Sequence, residues 1–180
     1  LPDALQKLLG KIIPEAEFAP STTSGSFAKL ALNEISNAVN WADGVLLVGE
    51  FGKNSETAIL LENIVKNISI PLVIAGDTID ELLNNPGLLS KSNIIVGAEF
   101  SQLRKLAINT KYSQAFTSTM TILKFVETLH DFAKTKNINV VTYFAGQTFI
   151  AIDERVSSTR TGYSLAEIAA KVSVWYMQNP

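Results

Sequence analysis

The chain has 180 residues, of which 47% are apolar and 18% charged, and its formal net charge is −2. This composition predicts one globular domain over residues 1–180 with a core of its own. With 15 basic and 17 acidic residues and no block of like charge, nucleic-acid binding is not expected. The lack of cysteine excludes disulfides and fits the reducing cytoplasm. No apolar run is long enough to cross a membrane.

The first forty residues predict two helices separated by a polar loop. Apolar residues recur at helical spacing over residues 5–13, so a helix is expected that stops near Pro14. Residues 20–26 form a loop by composition, either a lid near a site or a connector in which Ser26 caps the next helix. Residues 27–38 carry a second amphipathic helix pattern.

The middle of the chain alternates strand and helix patterns. Continuous apolar runs, of the kind that parallel sheets cover on both faces, occupy residues 45–48, 71–75 and 93–96. Helical patterns follow them over residues 53–68, 79–83 and 100–107. This alternation predicts βαβ units and a parallel sheet, in a three-layer α/β/α sandwich.

The last third has a different order of elements. A long helix ending near Asn137 precedes two strands, residues 139–143 and 148–152, which are expected to form an antiparallel hairpin. Residues 157–161 with Arg160 are either an anion-gripping cluster or a polar loop before a capped helix.

The closing helix begins at Ser164 and is apolar on most faces, so it is expected to be buried. Val172, Trp175 and Tyr176 form an aromatic and apolar patch near its end. Because large apolar patches mark interfaces, we expect a homo-oligomer through this helix.

The candidate site lies at the carboxyl ends of the strands, where open α/β sheets bind ligands. Gly49 and Gly52 either let the backbone approach a phosphate or serve an ordinary turn, and the Glu50 carboxylate between them would repel phosphate. Asp77 and Glu99 end the next two strand units. They either share a Mg²⁺ ion or serve their helices as a cap and a first-turn acid.

Other catalytic signals are weak. His130, the single histidine, stands beside Asp131 in a strongly periodic helix and is expected to be an exposed helix residue rather than a base. The sequence contains no phosphate-loop motif, nucleophile elbow or paired-histidine zinc motif. No catalytic residue is therefore assigned.

The order of these elements over residues 27–152 resembles the ADP- or ATP-dependent NAD(P)H-hydrate dehydratases, whose fold is ribokinase-like. Residues 42–49 resemble the strand that leads into the family's Gly-Pro-Gly-Leu-Gly turn, of which Gly49 and Gly52 remain. The resemblance implies a ribokinase-like sandwich that binds ADP or ATP with Mg²⁺ through these glycines.

Three further segments carry the resemblance. Residues 71–77 resemble the family's Pro-Leu-Val-Leu-Asp-Ala-Asp, with Asp77 at the second acid. Residues 94–103 resemble Thr-Pro-His-x-Gly-Glu-Phe-x-x-Leu, with Glu99 kept and an apolar residue at the histidine position. Residues 140–148 resemble the hairpin that normally carries Lys-Gly, where two aromatic residues stand here.

The family's strongest signature, Gly-Thr-Gly-Asp with the catalytic Asp, is missing. Residues 156–164 stand in its place, with one glycine and no Asp after it, and the family domain is longer than 180 residues. The resemblance thus implies a degenerate or shortened, non-catalytic member that acts through nucleotide binding or protein association. The alternatives are an active dehydratase or a small-molecule kinase completed by another chain.

Overall fold

The computed structural model describes residues 1–49, 51 and 54–178. Within them, one sheet has six strands that lie side by side in chain order. The strands are β1 (Val45–Leu47), β2 (Leu72–Ala75), β3 (Ile94–Ala98), β4 (Asn139–Phe144), β5 (Gln147–Ile152) and β6 (Arg155–Thr159). Strands β1 to β4 are parallel, and β4 to β6 pair antiparallel. This confirms the expected mostly parallel sheet with a C-terminal hairpin.

Helices cover both faces of the sheet, as the three-layer prediction requires. They are α1 (Gln6–Leu9), α2 (Leu32–Trp41), α3 (Ser55–Asn67), α4 (Asp77–Leu82), α5 (Phe100–Asn109), α6 (Ile122–Lys136) and α7 (Leu165–Gln178). Short 3₁₀ turns span Asp3–Leu5, Lys29–Ala31 and Pro86–Leu89. Helices α3 to α6 lie on one face of the sheet with the larger core, and α7 packs on the opposite face.

The apolar runs explain where the core lies. Every residue of β2 and β3 is buried, because side chains on both sides of these strands meet a helix layer. The same expectation for the first strand is wrong. Helix α7 packs on β2, β3 and β4, and Leu46 of β1 on that face remains 50% exposed.

The predicted hairpin is confirmed, with Phe144 paired to Gln147 across a two-residue turn. The turn residues Ala145 and Gly146 have φ of 47° and 78°, the positive values of a tight hairpin turn that matches strand twist. Helix α6 ends at Lys136, and the left-handed conformation of Asn137 stops the helix near the predicted residue.

Two expectations for the first thirty residues are wrong. The opening α-helix is limited to α1, and Leu8 and Ile12 are 66% and 70% exposed, so their helical spacing does not mark a buried face. Ser26 caps no helix. Residues 20–26 are a connector, and Ala28 precedes the next 3₁₀ turn.

The expected polar loop at residues 157–161 is also wrong in part. Its first three residues belong to β6, which pairs with β5 from Arg155 to Thr159. The segment has the polar composition of a loop because β6 is an edge strand whose side chains are mostly exposed.

Helix α7 approaches the sheet closely at Gly97 of β3. A Cβ at this position would lie 3.2 Å from Ala75 Cβ, 3.3 Å from the Leu165 carbonyl oxygen and 3.5 Å from Ala169 Cβ. The small residues Gly97, Ala75 and Ala169 therefore set the distance between α7 and the sheet.

Gly97→Ala is expected to lower the free energy of unfolding by about 1–3 kcal/mol, because α7 must move outward to admit the methyl group. Gly87→Ala is the matched control, since a Cβ at Gly87 meets no atom within 4 Å. Urea denaturation of both variants measures the difference, and equal stabilities would show that α7 is not packed on Gly97 as described.

Candidate functional site

The carboxyl ends of β1 and β2 meet at two glycines. Gly76 follows β2 with φ 63° and ψ −148°, a combination open essentially to glycine. A Cβ on Gly76 would lie 3.4 Å from the Gly49 backbone nitrogen, so the two turns adjoin. Gly49 has φ 126°, and no atom of the described residues lies within 4 Å of a Cβ built on it, which suits either the approach of a ligand or an ordinary turn. Gly52 and Glu50 lie outside the described residues.

Gln102, which sequence analysis missed, connects the ends of β2 and β3. Its Nε2 donates to the Gly76 carbonyl and to Asp80 Oδ2, both at 2.9 Å. Its Oε1 accepts from the Glu99 amide at 3.1 Å, and the Gln102 residue is only 7% exposed. The sequence feature that could have identified Gln102 is its position three residues after Glu99, which is the spacing of a capping box.

Asp77 and Glu99 lie at neighbouring strand ends. The sequence predicts that Asp77 caps its helix and that Glu99 is a first-turn acid, and the structure shows the reverse. Glu99 is the N-cap of α5, and Asp77 is the first residue of α4, whose N-cap is Gly76. Both residues are exposed. Among the described residues, no three His, Cys, Asp or Glu side chains are grouped to hold a metal. A Mg²⁺ ion shared by these two carboxylates stays a prediction.

Four of the described helices begin at the carboxyl ends of the parallel strands and have an acidic residue at or near their first turn. Glu56 lies in the first turn of α3, Asp77 begins α4, Glu99 caps α5 and Glu167 lies in the first turn of α7. The start of α7 belongs to this edge because the Leu165 carbonyl lies against Gly97 near the end of β3. These carboxylates compensate the positive helix ends that would otherwise attract a phosphate.

The start of α7 is where the resemblance places Gly-Thr-Gly-Asp, and here it forms a capping box. Glu167 Oε2 accepts from the Ser164 hydroxyl at 2.7 Å and from the Ser164 amide at 2.8 Å. The Ser164 hydroxyl accepts from the Glu167 amide at 3.3 Å. These donors are thus used within the chain, and the Ser164 hydrogen bonds hold the pKa of Glu167 below its ordinary value.

A groove beside α7 brings together residues that sequence analysis treated separately. This β5–β6 groove, of about 880 Å³, lies between α7 and the last two strands. Ile150 and Ile152 form its floor, and Val172 and Trp175 line its helical wall. Of the residues weighed as an anion cluster, Ser157, Thr159 and Thr161 line it, whereas Arg155, not Arg160, supplies the arginine. Lys171 lies over the Tyr163 ring, 3.2 Å from its centroid.

His130 lies partly exposed on α6, on the sheet face opposite α7 and apart from the strand ends described above. None of the described helices is long and apolar enough to cross a membrane.

Comparison with known proteins identifies the architecture. No family profile and no curated protein matches the sequence. A ribokinase-like superfamily protein from Enterococcus faecalis V583 superposes with a TM-score of 0.64 at 14% identity, over 92% of this chain and 56% of its own. The fold is ribokinase-like.

A hypothetical protein from Streptococcus mutans shares this ribokinase-like architecture, with a TM-score of 0.59 at 16% identity, over 96% of this chain and 59% of its own. Likeness at this identity establishes the fold and does not extend to the dehydratase family. The chain spans a little over half the length of both structures.

Gln102→Leu is expected to lower the free energy of unfolding by about 1–3 kcal/mol, because the substitution removes the hydrogen bonds to the Gly76 carbonyl and to Asp80 and leaves the Glu99 amide without its partner. Arg104→Gln, on the exposed face of α5, is the control and should stay within about 0.5 kcal/mol of wild type. Denaturant titration tests this prediction. An unchanged free energy of unfolding in Gln102→Leu would show that these hydrogen bonds do not contribute to stability.

The Ser164–Glu167 pair predicts a pH-dependent contribution to stability. Because the folded pKa of Glu167 lies below the ordinary value of 4.5, ionised Glu167 stabilises the fold above that pH, and this is lost as pH falls through the folded pKa. The melting temperature of wild type should exceed that of Glu167→Gln at pH 7, and the gap should close on acidification. Glu15→Gln is the control in an exposed turn. A gap independent of pH would contradict the pairing.

Proposed function

We propose that this chain is a degenerate relative of the NAD(P)H-hydrate dehydratases that acts by associating with another polypeptide rather than by catalysis. The observation that carries the proposal is the capping box of Ser164 and Glu167 at the start of α7. At this place the resemblance calls for an anion hole and a catalytic Asp.

Phosphate binding at a helix start needs free backbone N–H groups and no competing negative charge. At α7, the Ser164 amide and the Glu167 amide are both donated within the chain. Residues 161–164 supply no acid that could act as a base. These contacts support the proposal that the helix start lacks the anion site and the proton acceptor of the dehydratase reaction.

Association is supported by the sheet face that α7 leaves open. Leu46 and Val48 of the β1 region are 50% and 41% exposed, and Val174 and Trp175 on α7 are 48% and 63% exposed. Exposed apolar groups that share one face are typical of interaction surfaces. We infer that this face, rather than the strand ends, meets the partner.

Nucleotide binding is the second candidate, and the contact between the Gly49 and Gly76 turns favours it. These turns let a backbone approach a phosphate, and Asp77 and Glu99 supply the oxygen donors that Mg²⁺ prefers. An active dehydratase or small-molecule kinase completed by another chain is the alternative for this site, and the chain spans little more than half the length of its structural neighbours.

We expect no change in melting temperature with millimolar ADP or ATP in the presence of Mg²⁺, and no turnover of hydrated NADH. A ligand that binds the native state raises the melting temperature by mass action, so even weak binding would register. An active NAD(P)H-hydrate dehydratase under the same conditions is the positive control. Turnover would overturn the proposal, and a nucleotide-dependent shift without turnover would favour the second candidate.

A further inference from the structure

The floor of the β5–β6 groove has two chemically different sides. On the face that lines the groove, Ile150 of β5 is paired with Ser157 of β6. The next pair on this face joins Ile152 to Arg155, because every second residue of a strand points to the same face. Thr159 continues the β6 side. The floor is therefore apolar along β5 and polar and cationic along β6, over about 13 Å of strand.

Helix α7 extends the apolar side of the groove. Val172 and Trp175 lie three residues apart and so share one side of the helix, and both line the groove. Trp175 remains 63% exposed. A flat apolar group placed between this wall and the β5 floor would remove apolar surface of both from water, which is the main driving force for binding such a group.

The charges of the groove favour an anion. Arg155 lines it from the sheet and Lys171 from the helix. Neither cation has a carboxylate oxygen of the described residues within 4 Å, although Lys171 lies over the Tyr163 ring. Asp153 is the one acid among the described residues that line the groove, and its Oδ1 accepts from the Tyr176 hydroxyl at 3.3 Å.

Hydroxyl groups and size complete the description of the groove. Ser157 and Thr159 line its β6 side, and within the described part of the chain neither hydroxyl is hydrogen-bonded, so both can meet a polar ligand group. The volume of about 880 Å³ falls in the range of small-molecule sites, about 300–1,000 Å³. Such sites combine apolar walls with a few polar groups that orient the ligand.

We propose that the β5–β6 groove binds an amphipathic organic anion of small-molecule size. Its aromatic or other apolar body lies against Trp175 and the β5 floor, and its carboxylate, sulfonate or phosphate group faces β6. There the guanidinium of Arg155 offers paired N–H donors to the anion, and Lys171 adds a second positive charge. This binding site goes beyond the proposed function and does not rest on it. A polypeptide that covers the same face would compete with the ligand.

Titration with 8-anilinonaphthalene-1-sulfonate tests the site, because this aromatic anion becomes fluorescent when it leaves water for an apolar surface. Wild type should bind it saturably with a micromolar Kd. Arg155→Gln and Trp175→Ala should each weaken binding at least about fivefold, through loss of the anion contact and of the apolar wall. Arg104→Gln is the matched control, since it removes the same charge from the exposed face of α5 and should leave the Kd unchanged.

The neutral dye N-phenyl-1-naphthylamine has the same rings without the sulfonate and isolates the role of charge. It should bind wild type more weakly than the sulfonate does, and with the same Kd in Arg155→Gln.

The melting temperature of each variant checks that the chain stays folded. Absence of saturable binding to wild type overturns the site, as it would if another segment or polypeptide filled the groove. Unchanged binding in both Arg155→Gln and Trp175→Ala overturns the placement in this groove. Equal affinity for the two dyes overturns the preference for an anion. None of these results bears on the turnover and nucleotide measurements that judge the proposed function.

Discussion

The close packing of α7 on β3 is the constraint on which the rest of the structure depends. Gly97, Ala75 and Ala169 let the helix backbone come within van der Waals contact of the sheet, and no larger side chain fits between them. This contact fixes α7 over the middle strands. It thereby leaves open strips of the sheet on either side, over β1 and over β5 and β6.

The same contact decides what the start of α7 can do. It places Ser164 and Glu167 at the carboxyl edge of the sheet, where α/β proteins bind their ligands. The Glu167 carboxylate lies at this position and accepts hydrogen bonds from the Ser164 amide and hydroxyl. The ribokinase-like architecture is thus combined with a capping box at the start of α7 and with a sheet face that α7 covers only over its middle strands.

The fold could be predicted from the sequence wherever burial of a segment produces a recognisable pattern of apolar residues. The runs at residues 71–75 and 93–96 are buried on both faces, so they read clearly as parallel strands. The segment of β6 has few apolar residues because one edge and most side chains are exposed, so its composition resembled a loop. Leu8 and Ile12 show the reverse error, since helical spacing of apolar residues predicts a face that nothing in the described structure covers.

The candidate site was less predictable, because its connections depend on tertiary contacts. Asp77 and Glu99 could be placed at neighbouring strand ends from the order of elements alone. That Gln102 joins those ends, and that Arg155 lines the groove beside Ser157, depends on the strand pairing and on where α7 packs. Both arrangements depend on residues far apart in the sequence, so no local sequence pattern predicts them.

The most direct test is hydrogen exchange of the backbone amides, followed as protein concentration rises and as ATP with Mg²⁺ is added. The account predicts slower exchange with concentration in residues 147–159 and 165–178, and no change at residues 76–80 and 99–102 on adding nucleotide. The account would be contradicted if nucleotide slowed exchange at the strand ends while protein concentration had no effect on exchange in the groove.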